Sequence, residues 1–374
     1  MDIIKIKAEL FCKGIRCDLG SELPIPYLQN KRASLSEGKC FILSPDQGKF
    51  PINVAVRERF VKDSPFHFSP LDKKIYKDNK PFVDAEDLPQ PEWYSLKLPH
   101  GKSFDQVVQV HAADILASAL SNFCGFKADG KGCKYCALRT GSESGNKDPK
   151  EIAYCLSYLE NAGVHFSDLN LNAGTLRGED RGGGLYLKTI QEVRKVSNIP
   201  IAAQICPPDN FSWIKYLYEE GLNAISFNLE IYDEKIRREI CPGKSAIPRE
   251  RYLEAIKYAV EIFGRNQVSS WLIAGLEPVE STIEGARAIA TLGAVPFISV
   301  FRPLTGTELE TRLPPLAEDV VTIFRRVGEI LREYHVNPKA STSGCVRCNY
   351  CSALIEAVGD SANWKIEARN PKQL

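Results

Sequence analysis

The rhythm of apolar and polar positions changes twice along the chain. Over residues 1 to about 105 the apolar positions come in short alternating or branched runs, such as FILSPDQGKFPINVAV at 41–56, cut by proline and glycine. That pattern predicts short strands and turns. The first longer helical period begins near Ala112. From Asp148 onward the pattern alternates between helix and strand. Asp148-Pro149-Lys150-Glu151 supplies an N-cap, a proline at the first helical position and a glutamate at the third, and Ile152, Cys155, Leu156 and Leu159 then share one face up to Gly163. Strands are predicted over 168–172, 199–205, 224–231, 268–274 and 296–301. The helices between them run through Ile190, Val193 and Val196, then over 209–219, 248–263 and 283–291, and a glycine-rich turn spans 173–184. Strands separated by single helices imply parallel crossovers. The expected fold class is therefore α/β, with five or six such units forming a curved sheet or open barrel that binds ligands at its C-terminal strand ends.

Beyond Gly306, Pro314 and Pro315 interrupt the chain, and Val320, Ile323, Phe324, Val327 and Leu331 mark a helix over 318–334. The expected organisation is a β-rich segment over 1–105, a barrel over 106–312 and an extension over 313–374. The 48 Lys+Arg against 47 Asp+Glu give a formal charge of +1. That balance, with no basic-aromatic stripe, argues against nucleic acid and against an anionic membrane. The N-terminus lacks the apolar core of a signal peptide, and no run of about 18 apolar residues occurs, so a cytoplasmic protein is expected.

Six of the twelve cysteines fall in two tight triplets. In SNFCGFKADGKGCKYCAL, Cys124, Cys133 and Cys136 stand at Cys-x8-Cys-x2-Cys spacing; in SGCVRCNYCSAL, Cys345, Cys348 and Cys351 stand at Cys-x2-Cys-x2-Cys. Three thiolates on one loop can bind three irons of a [4Fe-4S] cluster and leave the fourth open to another ligand. Zinc ligation and plain burial are the competing readings for each triplet. Cys12, Cys17, Cys40, Cys155 and Cys206 read first as buried hydrophobes.

With these residues in view, positions 110 to 310 resemble the radical S-adenosylmethionine (SAM) enzymes, and within them the biotin-synthase-like group. The Cys133-Lys134-Tyr135-Cys136 end of the cluster loop matches, although eight residues replace the family's usual three in the first gap. Asn228-Leu229-Glu230 is similar to the Asn-Leu-Asp whose acid holds the SAM ribose. Pro248 to Leu253 resembles a helix start whose arginine grips the SAM carboxylate, which nominates Arg251, with Arg249 and Lys244 as substitutes. Gly174 and Thr175 match the segment that binds the methionyl amino group. Ile273 and Phe301 fall in motifs similar to those that sandwich adenine. GRNQVSSWLIAGLEP, PFISVFRPLTGTELE and GCVRCNYCSAL together look like the biotin-synthase-related radical SAM proteins found beside nitrilase genes.

The resemblance implies a TIM-like radical SAM barrel, a [4Fe-4S] cluster that cleaves SAM, and a second cluster on the later triplet. That second cluster's fourth ligand is left open among Cys40, Cys12, Cys17, Ser343 and Ser352. It further implies an external electron donor such as ferredoxin or flavodoxin. The substrate would be a small molecule or a group on a carrier protein. Sulfur insertion at unactivated carbon is the favoured reaction, ahead of an auxiliary cluster that transfers electrons or anchors substrate, a non-catalytic iron-sulfur scaffold, and nucleic-acid modification. Cys206 faces the expected cavity. No general base is nominated.

Overall fold

The computed structural model describes residues 2–17, 32, 38–45, 48–138 and 145–359. The chain opens with a helix, α1 (Ile3–Lys13), where strands and turns were expected. Asp2 caps it, accepting a hydrogen bond from the Lys5 amide. The run Ile4-Lys5-Ile6-Lys7 reads as alternation only if Lys7 faces solvent. In the fold Lys7 is fully buried, its Nζ 2.6 Å from Glu356 Oε1 and 3.1 Å from the Ser352 carbonyl oxygen. A buried ammonium needs such partners, and here they come from the far end of the chain.

Five antiparallel strands follow, β1 (Lys39–Ser44), β2 (Phe50–Val54), β3 (Phe66–Ser69), β4 (Lys74–Lys77) and β5 (Lys80–Asp87), in the order β2-β1-β5-β4-β3. The second sheet begins with a short antiparallel strand, β6 (Gln109–His111), on the edge of β7 (Ile115–Ser121). The helical period expected from Ala112 is this β7 strand. Its ILASALS run is small, apolar and almost wholly buried, a pattern that a strand covered on both faces shares with a buried helix.

From β7 six parallel strands run side by side: β7, β8 (Asp168–Ala173), β9 (Ile201–Gln204), β10 (Ala224–Ser226), β11 (Val268–Ala274) and β12 (Val295–Val300). The helices between them are α2 (Gly125–Ala128) and α3 (Pro149–Asn161), α4 (Gly183–Arg194), α5 (Ser212–Glu219), α6 (Glu234–Ile240) with α7 (Arg249–Phe263), and α8 (Val279–Thr291). The fold is thus the expected α/β arrangement, a parallel sheet of six β/α units beside a separate antiparallel sheet. β10 is shorter than the predicted 224–231, but Glu230 rejoins the sheet through a bridge to Leu272. Val196, expected on the helix stripe, lies beyond α4 and is exposed.

The chain ends in α9 (Ala317–Glu333), α10 (Gly344–Cys348) and α11 (Leu354–Val358). The apolar face of α9 packs on α1, α8 and α11. One continuous apolar core joins Ile6 and Phe11 of α1, the β7 to β12 strands and Leu331 of α9, so the three segments expected from the sequence share their burial. Among the described residues no helix is long and apolar enough to cross a membrane.

Candidate functional site: a cavity between two cysteine triplets

A cavity of about 780 Å³ occupies the interior of the parallel sheet, and the C-terminal strand ends form its mouth. Cys124, Tyr135, Cys133 and Cys136 line it on the loop that leaves β7. Three backbone hydrogen bonds to two neighbouring segments fix that loop. The Gly125 amide donates to the Thr175 carbonyl oxygen at 2.8 Å, the Lys134 amide to that of Ile240 at 2.9 Å, and the Gly243 amide to that of Lys131 at 2.9 Å. Gly174 is required by close approach, since a Cβ there would overlap the Phe123 carbonyl oxygen. The eight residues between the first two cysteines form α2 and a turn through Gly130, at φ 72°. Lys127 Nζ donates to the Cys136 carbonyl oxygen at 3.1 Å and folds the gap back on itself.

Beside this loop, Glu230 sits at φ 71°, a left-handed conformation that is strained for a side chain of its size. Its Oε1 lies 2.6 Å from Lys244 Nζ, and both side chains are largely buried. Burial is the largest influence on Lys244 and opposes its charge, but the Glu230 carboxylate and, after it, Cys206, Tyr252 and Cys133 together hold the ammonium well above its usual range. A hydrogen bond with Cys241 and then burial raise the Cys133 thiol; burial does the same for Cys136 and Tyr135. Thr175 Oγ1 and Cys206 Sγ, both on the lining, are 3.2 Å apart. Cys206 is buried, as the sequence suggested, and also borders the cavity.

The second triplet closes the other end. Asp168, the first residue of β8, accepts the Gly344 amide at 2.6 Å and Arg347 Nε at 2.7 Å, and Asp114, just before β7, takes Arg347 Nη2 at 3.2 Å. These contacts bring α10 in from the N-terminal strand ends, so the triplet lies on the cavity floor. Cys345 and Cys351 border the cavity, while Cys348 is buried behind them. Cys345 Sγ accepts from Gln204 Nε2 at 3.1 Å and Asn170 Nδ2 at 3.7 Å. Burial pushes the Cys345 thiol up to about 12 and the Cys351 thiol to about 11, values at which neither ionises near neutrality without a cation to bind. Among the described residues no three His, Cys, Asp or Glu side chains close around one point as a single ion requires.

Of the SAM-contacting residues nominated from sequence, Tyr135, Gly174, Thr175, Asn228, Glu230, Ile273 and Phe301 line the cavity with Lys244. Arg251 does not. Its guanidinium stacks on the Phe211 ring, 3.7 Å from the centroid, and donates to the Asp209 carbonyl oxygen. Arg249 likewise stacks outside the lining, on Tyr232. The first turn of α7 points these arginines to its outer side, which a linear motif does not register. Sequence reasoning missed Arg181, which reaches the lining from the glycine-rich turn before α4, pairs with Asp209 at 2.9 Å and keeps a buried Nε with no partner. Its signal was the RGEDRGGG turn, where Arg181 adopts φ 52°. Also missed were Cys241 and Lys147; the latter donates to the Val107 carbonyl oxygen at 2.7 Å and is brought down to about 8 by burial.

No protein-family profile matches the chain. Over 265 residues the chain is 28% identical to a bacteriochlorophyllide c C-7(1)-hydroxylase of Chlorobaculum limnaeum, a match covering 65% of this chain and 66% of that protein. It thus spans just under two thirds of that relative's length. Among solved structures it is similar to a methylornithine synthase, with 19% identity and TM-score 0.43 over 60% of this chain and 64% of that one. It is also similar to a radical SAM methyltransferase from Sphaerobacter thermophilus, with 14% identity and TM-score 0.45 over 69% and 79% of the two chains.

Proposed function

We propose that the protein is a radical SAM enzyme that acts on an unactivated C–H bond of a substrate held between the two cysteine triplets. The observation that carries this reading is that three thiols of one loop and the Glu230–Lys244 pair border the same cavity at the C-terminal strand ends. The donor set suits the group: Cys124, Cys133 and Cys136 would hold three irons of a [4Fe-4S] cluster on a loop that Gly174 and Gly243 let their neighbours approach closely. When bound, that cluster with SAM supplies a 5′-deoxyadenosyl radical for hydrogen abstraction.

The remaining roles belong to this chain's side chains. Glu230 offers a carboxylate that can accept from vicinal hydroxyls, while Lys244 and Arg181 offer cations for a carboxylate. Ile273 and Phe301 offer apolar faces to a base, and Gly174 with Thr175 offers backbone to an amino group. Below them, Asn170, Asn172, Gln204 and Asn228 form an amide wall. Asn170 Oδ1 and Trp271 Nε1 are buried there without partners, an acceptor and a donor for substrate. Reduction would come from a ferredoxin or flavodoxin. Anaerobic protein reconstituted with iron and sulfide should form 5′-deoxyadenosine from SAM under a strong reductant; sustained failure by cluster-loaded protein would leave the scaffold reading in place.

Two reactions fit the floor. Sulfur insertion is favoured by Cys345 and Cys351 on the cavity border, where a second cluster would face substrate. Hydroxylation is favoured by the relative named as a hydroxylase. Product mass and sulfide counted per chain before and after one turnover separate them: loss of sulfide with a sulfur-bearing product supports insertion, and oxygen gain with sulfide retained supports hydroxylation.

A further inference from the structure

We infer that Cys40, on β1 of the antiparallel sheet, is the fourth thiolate of the floor site, so that Cys40, Cys345, Cys348 and Cys351 together hold one iron-sulfur cluster. The kind of group rests on the reading above; the grouping of the four residues rests on contacts. Asn53 ties the two ends of the chain together. It pairs with Cys40 across β1 and β2, its Nδ2 donates to Cys40 Sγ at 3.2 Å, and its backbone amide donates at 2.7 Å to the carbonyl oxygen of Tyr350, which lies between Cys348 and Cys351. Cys40, Cys348 and Tyr350 share one buried apolar cluster, and Cys40 is an electrostatic neighbour of Cys351.

The surroundings suit thiolates. Side-chain amides aim N–H groups at Cys40 and at Cys345, the device by which proteins orient and tune such sulfurs. Arg302 is a cationic neighbour of both Cys40 and Cys351, and Arg347 of Cys348, so four negative sulfurs would meet compensating charge. Arg302 is itself held by Asn53, its Nη2 3.1 Å from the Asn53 carbonyl oxygen, and Gly38 leaves the space, since a Cβ there would fall 2.5 Å from Arg302 Nη1.

The other candidates lie elsewhere. Cys12 sits on α1 among Lys13, Glu318 and Asp319. Cys17 follows the bridge to His67 on β3, at the far edge of the antiparallel sheet. The Ser352 hydroxyl donates to the Ile298 carbonyl oxygen at 2.7 Å. Ser343 Oγ is buried without a partner; with Cys345, Ala202 and Ser226 it lines a second, small cavity to which β1 contributes no residue. The assignment gives the antiparallel sheet a role, to deliver one ligand to the floor. It also closes every iron of a cubane to substrate, because four thiolates are a complete ligand set.

The test uses the full chain with Cys124, Cys133 and Cys136 all changed to Ala, so that only the floor can load. After anaerobic reconstitution and desalting, this parent should retain about four irons per chain. Its reduced-state EPR spectrum should not change on adding cyanide, a ligand for open iron. Adding Cys40→Ala should cut retained iron to about half or less, or leave a cluster whose spectrum now shifts with cyanide, whereas Cys12→Ala should do neither. An unchanged iron content and unchanged cyanide response in the Cys40→Ala variant overturns the assignment. So does a cyanide shift in the parent, a result that needs no Cys40 variant to fold, and so does a parent that retains no iron. None of these outcomes touches 5′-deoxyadenosine formation by the wild-type chain, which tests the mouth alone.

Discussion

The two triplets share a cavity and differ in how they are held. The mouth triplet lies on a loop whose three cysteines are all partly accessible, pinned by backbone hydrogen bonds from other loops, next to a buried ion pair and open space. The floor triplet has two cysteines on the short helix α10 and the third just beyond it, with one of them buried and carboxylates of β8 and the segment before β7 gripping the Gly344 amide and Arg347. The first arrangement leaves room for an exchangeable ligand; the second spends its contacts on position. Mouth substitutions should therefore cost binding and turnover with the fold intact, and floor substitutions should cost stability as well.

The largest expected effect is at the mouth. Cys136→Ala should lower 5′-deoxyadenosine formation by about 1000-fold or more while moving the melting temperature little, because the thiol's work is ligation; retained activity with full iron loading would break the contrast. Next comes Asp168→Asn on the floor. Asp168 is fully buried between the Gly344 amide and Arg347, and removing one partner of a buried pair costs about 3–5 kcal/mol. Denaturant unfolding should show that loss, and a change below about 1 kcal/mol would mean that the floor is not held as described.

Glu230→Gln should weaken SAM binding roughly 10- to 100-fold, since it removes a charged acceptor and strands the Lys244 ammonium. Equilibrium dialysis with cluster-loaded protein measures it, and unaltered affinity would move the ribose contact elsewhere. The smallest effect concerns Lys147 on the wall between the triplets. Burial brings its folded value down to about 8 against an ordinary 10.5. The unfolded chain therefore binds the extra proton between those values, and this group's contribution to stability rises as pH climbs through that window and is lost as pH falls through about 8. Lys147→Met should flatten that rise, a difference of about 1–3 kcal/mol between wild type and variant by unfolding at pH 8 and pH 10.5; parallel curves would refute it.

What the sequence disclosed follows the range of each interaction. The helices α3, α7 and α9 and the strands β8, β11 and β12 were legible because local period and caps decide them. α1 and β7 were not, because Lys7 finds its carboxylate at Glu356 and the apolar run of β7 is buried at successive positions, on both faces of the strand. At the site, the cysteine spacings and Asn228-Leu229-Glu230 are contiguous in sequence and stood out. Arg251 shows the limit of the same reasoning, since the motif places it at a helix start but not on a face, whereas Lys244, the substitute named from sequence, and Arg181 from a different loop both reach the cavity wall. Cys40 could be named from sequence only as one candidate among five; Asn53, which links it to Tyr350, carries no signature of that role.

The most direct measurement of the central claim is electron-nuclear double resonance on the reduced, cluster-loaded chain with SAM labelled by 15N at the methionyl amino group. Direct coupling between that nitrogen and the cluster is expected in the wild type and in a variant with Cys345, Cys348 and Cys351 changed to Ala. Absence of coupling in both, with the mouth cluster demonstrably present, would contradict the account.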